Sequence, residues 1–93
     1  MIQSFACKET EKIFNRLYSK KPPQSIQTTA FKKLRMLNRS INLNDLRIPP
    51  ANRLERLSGN REGQHSIRIN DQWHICFVWH ENNAEKVEIV DYH

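Results

Sequence analysis

The sequence predicts an α+β fold, because two different hydrophobic periods follow each other along the chain. Hydrophobic residues recur at helical spacing as far as the second of two Pro-Pro pairs, and they alternate with polar residues after it. The chain has 93 residues, which is short even for one domain. We therefore expect a single domain over residues 1–93, with one core and one site.

The first part of the chain, up to Pro22-Pro23, predicts a short strand and a helix. Ile2–Phe5 is typical of a strand, and Lys8–Lys20 has its hydrophobic residues at helical spacing. The stripe of this helix consists of Ile13, Phe14, Leu17 and Tyr18. Proline fixes its own backbone and pushes the preceding residue out of the helical region, so the helix ends before the proline pair.

A second helix is predicted between the two proline pairs, with Ser25 as its N-cap. Its hydrophobic stripe consists of Ile26, Ala30, Leu34, Leu37 and Ile41. Its polar face, which would contact phosphates or only water, carries Lys32, Lys33, Arg35 and Arg39. Because the connection through the prolines is short, the two helices should pack as an antiparallel hairpin.

An antiparallel meander is predicted after Pro49-Pro50. Its three strands, rich in Ile, Val, Phe and Trp and separated by polar segments, are Gln64–Ile69, Trp73–Trp79 and Lys86–Val90. Just before them, Gly59 and Gly63 flank Asn60–Glu62, which indicates a tight turn. A phosphate-binding loop is the alternative interpretation of these glycines.

The register of the first hairpin follows from burial, because a slip of one residue sends every side chain to the other face. A three-residue loop, Asn70–Gln72, collects the large hydrophobic residues on one face: Ile67, Ile69, Trp73, Ile75, Phe77 and Trp79. The other face then carries Ser66, Arg68, His74 and Cys76, with Arg68 directly opposite His74. The same alternation puts Val87 and Ile89 on the apolar face and Tyr92 beside His74.

Two cationic side chains opposite each other on a sheet are unfavourable unless an anion lies near them. For Arg68 and His74, this anion would be Asp91 or the phosphate of a substrate. Alternatively, His74 stays neutral and only fills the surface of the sheet.

The formal net charge is +5, and it is unevenly distributed. Residues 1–60 carry twelve Lys and Arg against four Asp and Glu, a net charge of +8, whereas residues 61–93 carry three against six, a net charge of −3. A basic domain of this size suggests a polyanion or an acidic protein as its partner. An ordinary Lys-rich helical surface is the alternative.

Several classes of protein do not fit the sequence. No segment approaches the length of a transmembrane span or a signal-peptide core, so we expect a soluble, cytoplasmic protein with no membrane partner. Cys7 and Cys76 lack CxxC spacing and are expected to be reduced thiols. The four histidines do not have the spacing of a zinc site, so no metal or other cofactor is expected.

The chain ends on Asp91, Tyr92 and His93, three polar residues with proton-transfer capacity directly after an apolar strand. Together with Arg68 and His74, they supply what a metal-free ribonuclease needs: a base for the 2′-hydroxyl, an acid for the 5′-oxygen and a cation for the phosphate. Histidine suits the acid or base role because it titrates near neutrality. Tyr92 would stack on a base or transfer a proton, or it would only cover the core.

Two blocks of the sequence are distinctive in combination. The first is Asn52–Trp73, which includes Ser-Ile-Arg-Ile-Asn-Asp-Gln-Trp, followed by Ile75–Phe77. The second is the ending Val87–His93, which includes Asp-Tyr-His. Together, these two blocks resemble the HigB toxins of the RelE/ParE superfamily. Their combination is far more specific than a single short motif. Over residues 1–50 the resemblance is weaker and rests on the chain length, the Ile2–Phe5 start and the paired helices.

This resemblance implies a RelE-like α+β fold, with two N-terminal helices packed on a twisted antiparallel sheet. It also implies cofactor-free cleavage of mRNA on the translating ribosome. A helix-turn-helix antitoxin of the HigA type would neutralise the toxin, and operator DNA would be contacted only through this antitoxin. The expected catalytic residues are His93, Tyr92, Asp91 and His74. The expected RNA-binding residues are Arg68, Arg61, Arg53 and Arg56.

The chain departs from the family pattern at His74, where the family usually has arginine. Arginine is always protonated and binds phosphate through two nitrogens, whereas histidine is shorter and only partly charged at neutral pH. Some family members also have a lysine where this chain has Ser58 and a histidine where it has Glu55. These differences predict weakened cleavage.

Other functions are compatible with the sequence. A ParE-like toxin that poisons DNA gyrase would cause a DNA-damage response without transcript cleavage. A basic nucleic-acid-binding module would bind RNA in a salt-sensitive way, without dependence on His93. An inactive remnant of a toxin is a further alternative.

Overall fold

The helices precede the antiparallel sheet, as the sequence predicts. The computed structural model describes residues 1–91, and Tyr92 and His93 lie outside the described residues. Within residues 1–91 the elements are α1 (Lys8–Phe14), α2 (Gln24–Arg39), β1 (Glu55–Arg56), β2 (Gln64–Arg68), β3 (Trp73–His80) and β4 (Asn83–Asp91). The strands pair antiparallel in the order β1-β2-β3-β4. The predicted α+β class is confirmed.

The hydrophobic core lies between the helices and one face of the sheet. Residues at helical spacing on α2 meet alternate residues of β2, β3 and β4, because successive side chains of a strand point to opposite faces. The fully buried members are Ala30, Leu34, Leu37, Leu46, Ile67, Ile75, Phe77, Ala84 and Val87. The half-buried members around them include Ile69, Trp79 and Ile89. Burial of each Leu, Ile or Phe side chain contributes about 1.5 to 3 kcal/mol, so this cluster fixes the helices on the sheet.

The first helix ends earlier than predicted, at Phe14 rather than near Lys20. Arg16 adopts a left-handed backbone conformation (φ 61°), and the N–H of Leu17 donates back to the last helical turn at 2.8 Å. This arrangement closes a helix end. Leu17 and Tyr18 therefore leave the predicted stripe and are 59% and 68% exposed.

The second helix begins one residue earlier than the predicted cap and ends before Ile41. Pro23 is the N-cap, and Ser25 lies inside the first turn. Proline suits a helix start because the first N–H groups have no partner within the helix. The helix ends at Arg39, so Ile41 lies beyond it and is 76% exposed. The rest of the stripe is buried as predicted, namely Ile26, Ala30, Leu34 and Leu37. Neither helix in the described part of the chain has the length and apolar character that crossing a bilayer requires.

The register predicted for the β2–β3 hairpin is confirmed. Arg68 lies directly opposite His74. In the connecting loop, the side-chain oxygen of Asn70 accepts hydrogen bonds from the N–H groups of Gln72 and Trp73, at 2.9 and 2.8 Å. Asparagine forms tight turns in this way because its short side chain reaches the backbone two residues ahead.

The β3–β4 hairpin is longer than predicted and is closed by a two-residue turn. Glu81 and Asn82 both have positive φ, 49° and 64°, which is the backbone that matches the twist of two paired strands. The last strand therefore starts at Asn83 rather than Lys86. Lys86 (φ 52°) lies at a β-bulge, which shifts the alternation by one residue. Beyond the bulge, Val87 is buried on the core face, as predicted.

The N-terminal segment extends the sheet beyond β4. Ile2 and Phe5 form parallel bridges with Ala84 and Val87. The N–H of Gln3 donates to the carbonyl oxygen of Ala84 at 2.8 Å. The extended segment predicted at this position is therefore present as two isolated bridges, and it covers the edge of β4.

The sequence does not predict β1, which consists of Glu55 and Arg56 paired with β2. Two residues are too few for a periodic hydrophobic pattern. This short strand nevertheless matters, because it places Glu55 on the same face of the sheet as Arg68 and His74.

Candidate active site

The face of the sheet that points away from the core carries two of the predicted site residues, Arg68 and His74. The strand pairing places alternate residues of all four strands on this face. We call it the polar face, and it includes Glu55, Gln64, Ser66, Arg68, His74, Cys76, Val78, Glu85, Glu88 and Val90.

Arg68 lies at the end of β2, where its guanidinium group forms an ion pair with Asp71. Asp71 belongs to the β2–β3 loop, and its side chain is 95% exposed. Exposed ion pairs contribute at most about 1 kcal/mol. A phosphate group can therefore replace Asp71 at Arg68 without a large loss of stability.

His74 lies opposite Arg68 on one side and Val90 on the other. Burial lowers the pKa of His74, because the imidazolium form loses solvation. The carboxylate of Glu55 opposes this effect by raising the pKa, and Arg68 adds to it by lowering the pKa. A lowered pKa favours the neutral imidazole at neutral pH, so His74 differs from Arg68, which carries a permanent charge.

Two small side chains are buried in the middle of the polar face. Ser66 and Cys76 pair across β2 and β3 and are 1% and 0% exposed. The hydroxyl oxygen of Ser66 has no hydrogen-bond partner among residues 1–91. Beside them, the guanidinium group of Arg61 donates to Gln64 Oε1 at 3.1 Å and to Glu88 Oε1 at 2.9 Å. Arg61 thus spans the polar face from β2 to β4.

The four predicted RNA-binding arginines do not form one patch. Arg61 is held by Glu88 in the ion pair just described. Arg56 pairs with His65, which lies three residues before Arg68 on β2. Because side chains alternate along a strand, Arg56 points to the opposite face of the sheet from Arg68. Arg53 is exposed in the loop before β1. Of these arginines, the structure places Arg68 alone beside His74.

Asp91 does not supply the anion between Arg68 and His74. It pairs with Trp73, and strand alternation therefore puts it on the opposite face from His74. Its carboxylate accepts a hydrogen bond from the side-chain amide of Gln72 at 3.0 Å. The anion at Arg68 is Asp71 instead, although Asp91 still lies at the same end of the sheet.

The last two predicted catalytic residues, Tyr92 and His93, lie outside the described residues. The position of Tyr92 beside His74 therefore stays a prediction. The pairing of β4 continues through Asp91, so the described chain stops at the end of the sheet that carries Arg68.

Two neighbours of the site were missed in the sequence. Asp71 follows Arg68 by three residues across a tight loop, and this spacing was an available signal. Glu55 had no such signal, because its position depends on β1. Residues 1–91 contain no group of three His, Cys, Asp or Glu side chains placed to hold a metal ion, and Cys7 and Cys76 are free thiols.

Comparison with known proteins gives one family and two relatives. Residues 3–93 match the family described as the RelE-like toxin of type II toxin-antitoxin system HigB. The chain is 47% identical to Toxin HigB-1 of Vibrio cholerae over 57 residues, which are 61% of this chain and 60% of that protein. It is 37% identical to an uncharacterized protein of Haemophilus influenzae over 67 residues, 72% of this chain and 66% of that protein. Each match spans less than two thirds of the relative.

The fold is similar to solved structures as well. A chain of the YoeB-YefM complex from Staphylococcus aureus superposes with a TM-score of 0.60 and 18% identity, covering 100% of this chain and 98% of the other. A heterotetrameric YoeB-YefM toxin-antitoxin complex from the same organism gives the same values. This similarity confirms the predicted RelE-like architecture. Because the family match extends over residues 3–93, the chain belongs to the RelE-like HigB toxins of type II toxin-antitoxin systems.

Proposed function

We propose that this chain is a metal-independent endoribonuclease that cleaves mRNA on the translating ribosome. The register of the sheet supports this proposal most directly. Arg68 and His74 face each other at the end of the sheet, where β4 ends at Asp91 and continues in sequence into Tyr92 and His93.

In the proposed reaction, a ribose 2′-oxygen attacks the adjacent phosphorus atom and the bond to the 5′-oxygen breaks. A base takes the proton of the 2′-hydroxyl, and an acid gives a proton to the leaving 5′-oxygen. The products are a 2′,3′-cyclic phosphate and a free 5′-hydroxyl. We assign the proton transfers to the group formed by His93, Tyr92, Asp91 and His74, and the phosphate contact to Arg68.

We further propose that cleavage is weakened by His74. Because burial keeps this imidazole mainly neutral, Arg68 is the permanent cation that faces the substrate there. Asp71 forms an ion pair with Arg68 until a phosphate of the substrate replaces it. An arginine at position 74 would add a second permanent cation directly opposite.

The partners follow from the family and from the charge of the chain. We propose that a HigA-type helix-turn-helix antitoxin neutralises the toxin and carries it to operator DNA. The net charge of +8 over residues 1–60 suits ribosomal RNA or an acidic antitoxin surface. We propose that the protein acts in the cytoplasm as a single domain over residues 1–93, without a cofactor.

The proposal is tested by expressing the chain and mapping transcript ends. Primer extension on a reporter mRNA should reveal cleavage within the translated region after induction. Deletion of Tyr92 and His93 should abolish this cleavage, because it removes two of the proposed proton-transfer groups. The shortened chain should still co-purify with the antitoxin, which controls for folding.

Cleavage by the chain that lacks Tyr92 and His93 would contradict the proposal. Intact transcripts together with a DNA-damage response would indicate gyrase poisoning of the ParE kind instead. Salt-sensitive RNA binding without cleavage, unaffected by substitution of His93, would indicate a binding module.

A further inference from the structure

A concave surface lies at the same end of the sheet as Arg68 and His74, next to the α1–α2 connection. It is a groove of about 500 Å³ lined by Lys20, Lys21, Pro23, Trp73 and Asp91. We call it the lysine groove. Two lysines from the α1–α2 connection thus meet the first residue of β3 and the last residue of β4.

The backbone that carries the two lysines is held in place on both sides. The side-chain amide of Gln27 donates to the carbonyl oxygens of Ser19 and Pro22, at 2.8 and 2.7 Å. The buried hydroxyl of Ser19 donates to a carboxylate oxygen of Glu9 at 2.7 Å. These contacts fix the segment between Ser19 and Pro22, so the lysines are presented at a defined position.

The ammonium groups of the lysine groove are available for an anionic ligand. Lys20 and Lys21 are exposed, and neither forms an ion pair with a residue that the structure describes. The acidic residue of the groove is Asp91, and its carboxylate already accepts a hydrogen bond from Gln72. Among the residues of the groove that the structure describes, the two lysines therefore outnumber the carboxylate, which favours an anionic ligand.

Trp73 adds a flat aromatic surface to the lysine groove. Its side chain is half-buried. An indole ring beside lysines is the combination on which single-stranded nucleic acids are bound, because bases stack on the ring while phosphates meet the cations. Trp73 and His74 are neighbours on β3 and point to opposite faces. A single-stranded nucleic acid that leaves the polar face at His74 therefore reaches Trp73 by passing around the end of the sheet.

We propose that the lysine groove binds single-stranded RNA next to the cleaved phosphate. One base stacks on Trp73, and the neighbouring phosphates contact Lys20 and Lys21. This proposal rests on the proposed nuclease function, because it describes where the substrate continues beyond the polar face. The aromatic ring favours RNA over an acidic protein segment, which would use the lysines alone.

Binding is measured with a fluorescently labelled single-stranded RNA of about ten nucleotides, within the length that such grooves occupy. Methylation of every 2′-hydroxyl prevents cleavage during the measurement. The double variant Lys20→Ala/Lys21→Ala should bind about tenfold more weakly at low salt. Its slope of log affinity against log salt should fall by about 1.4, the value for two single-strand phosphate contacts.

A matched control is Lys8→Ala/Lys32→Ala, which removes the same charge from two exposed lysines outside the groove. It should retain the affinity and most of the slope. A Trp73→Leu variant should lose affinity with little change in slope, because stacking is not ionic. In a Trp79→Phe background, Trp73 is the remaining tryptophan, and its fluorescence should be quenched by the RNA.

Unchanged affinity and slope in the groove double variant would overturn the proposal. Weaker antitoxin binding with unchanged RNA binding would also overturn it, in favour of a protein docking site. The proposed function fails separately: groove-dependent RNA binding without transcript cleavage would contradict the nuclease alone. Transcript cleavage with groove-independent RNA binding would contradict the groove alone.

Discussion

The pair formed by Arg68 and His74 illustrates how single residues resolve an electrostatic conflict. Two cations opposite each other on a sheet repel. The sequence offers Asp91, a substrate phosphate or a neutral His74 as the means of reducing this repulsion. In the structure, two effects reduce it. Burial lowers the pKa of His74, so the imidazole is mainly neutral, and Asp71 pairs with Arg68. Neither solution needs Asp91, which faces the other side of the sheet.

A substitution of His74 by arginine tests the proposed weakening of the site. His74→Arg should raise transcript cleavage about tenfold, a modest part of the effect of one charge-stabilising group in an active site. Primer extension and the rate of growth arrest measure this change. His80→Arg is the matched control, because His80 is exposed at the other end of β3. No increase for His74→Arg, or an equal increase for both variants, would contradict the prediction.

The ion pair at Arg68 gives a second prediction. Asp71→Asn should strengthen binding of single-stranded RNA about twofold to fivefold, because Arg68 no longer exchanges a carboxylate for a phosphate. Thermal stability should change little, since the carboxylate is 95% exposed. The control is Glu62→Gln, which removes the same charge from another exposed position. Equal effects of the two variants on RNA affinity would assign the gain to net charge instead.

At the scale of elements, Asn52 joins three parts of the fold. It is fully buried, and its side-chain nitrogen donates to the Leu46 carbonyl oxygen at 3.1 Å. Its side-chain oxygen accepts a hydrogen bond from Lys33. Burial lowers the pKa of Lys33, as expected for an ammonium group withdrawn from water. Asn52 therefore links α2 to the segment that leads into β1.

Asn52→Ala should lower the free energy of unfolding by about 2 to 3 kcal/mol, because it leaves buried polar partners unsatisfied. Urea denaturation measures the loss. Asn60→Ala is the control, since Asn60 lies exposed in the turn before β2, and it should change stability by no more than about 0.5 kcal/mol. A loss below 1 kcal/mol for Asn52→Ala would show that the link is not needed.

The elements that the sequence predicted correctly are those whose hydrophobic pattern is buried on one side. The stripe of α2 and the β2–β3 register belong to this group. In the hairpin, a register slip of one residue would move the buried side chains of Ile67 and Ile75 to the other face of the sheet. The ends of elements were predicted less well. The stop at Arg16 depends on one left-handed residue, and hydrophobic spacing continues past it. The site was predicted in the same way: alternation placed Arg68 opposite His74, whereas β1 and the groove arise from contacts between distant segments.

At the scale of the molecule, the uneven charge along the sequence can be related to positions in the fold. The basic part of the chain, residues 1–60, includes the two lysines that reach the end of the sheet. The more acidic part supplies Arg68, His74 and Asp91 at that same end. The fold therefore brings cations from the first part of the chain to the end of the sheet where the proposed proton-transfer groups lie, which net charge alone does not reveal.

Two half-buried histidines predict that the stability of the fold depends on pH. His65 packs on Phe77 with ring centroids 6.1 Å apart. Burial lowers the pKa of His65, and Arg56 and Arg47 lower it further; burial lowers the pKa of His74 as well. Each imidazole therefore binds a proton more readily in the unfolded chain than in the folded one.

The contribution of the two neutral histidines to the free energy of unfolding should therefore be fully present above pH 6.5, the ordinary pKa of histidine. The free energy of unfolding should fall as the pH drops below that value. Unfolding takes up at most about one proton per histidine in this range. Urea midpoints on both sides of pH 6.5 measure the decrease. His65→Asn/His74→Asn should flatten it, whereas His80→Asn, at an exposed position, should leave it unchanged. An equally steep decrease in the double variant would assign the pH dependence to other groups, because the two half-buried imidazoles would then bind protons equally in both states.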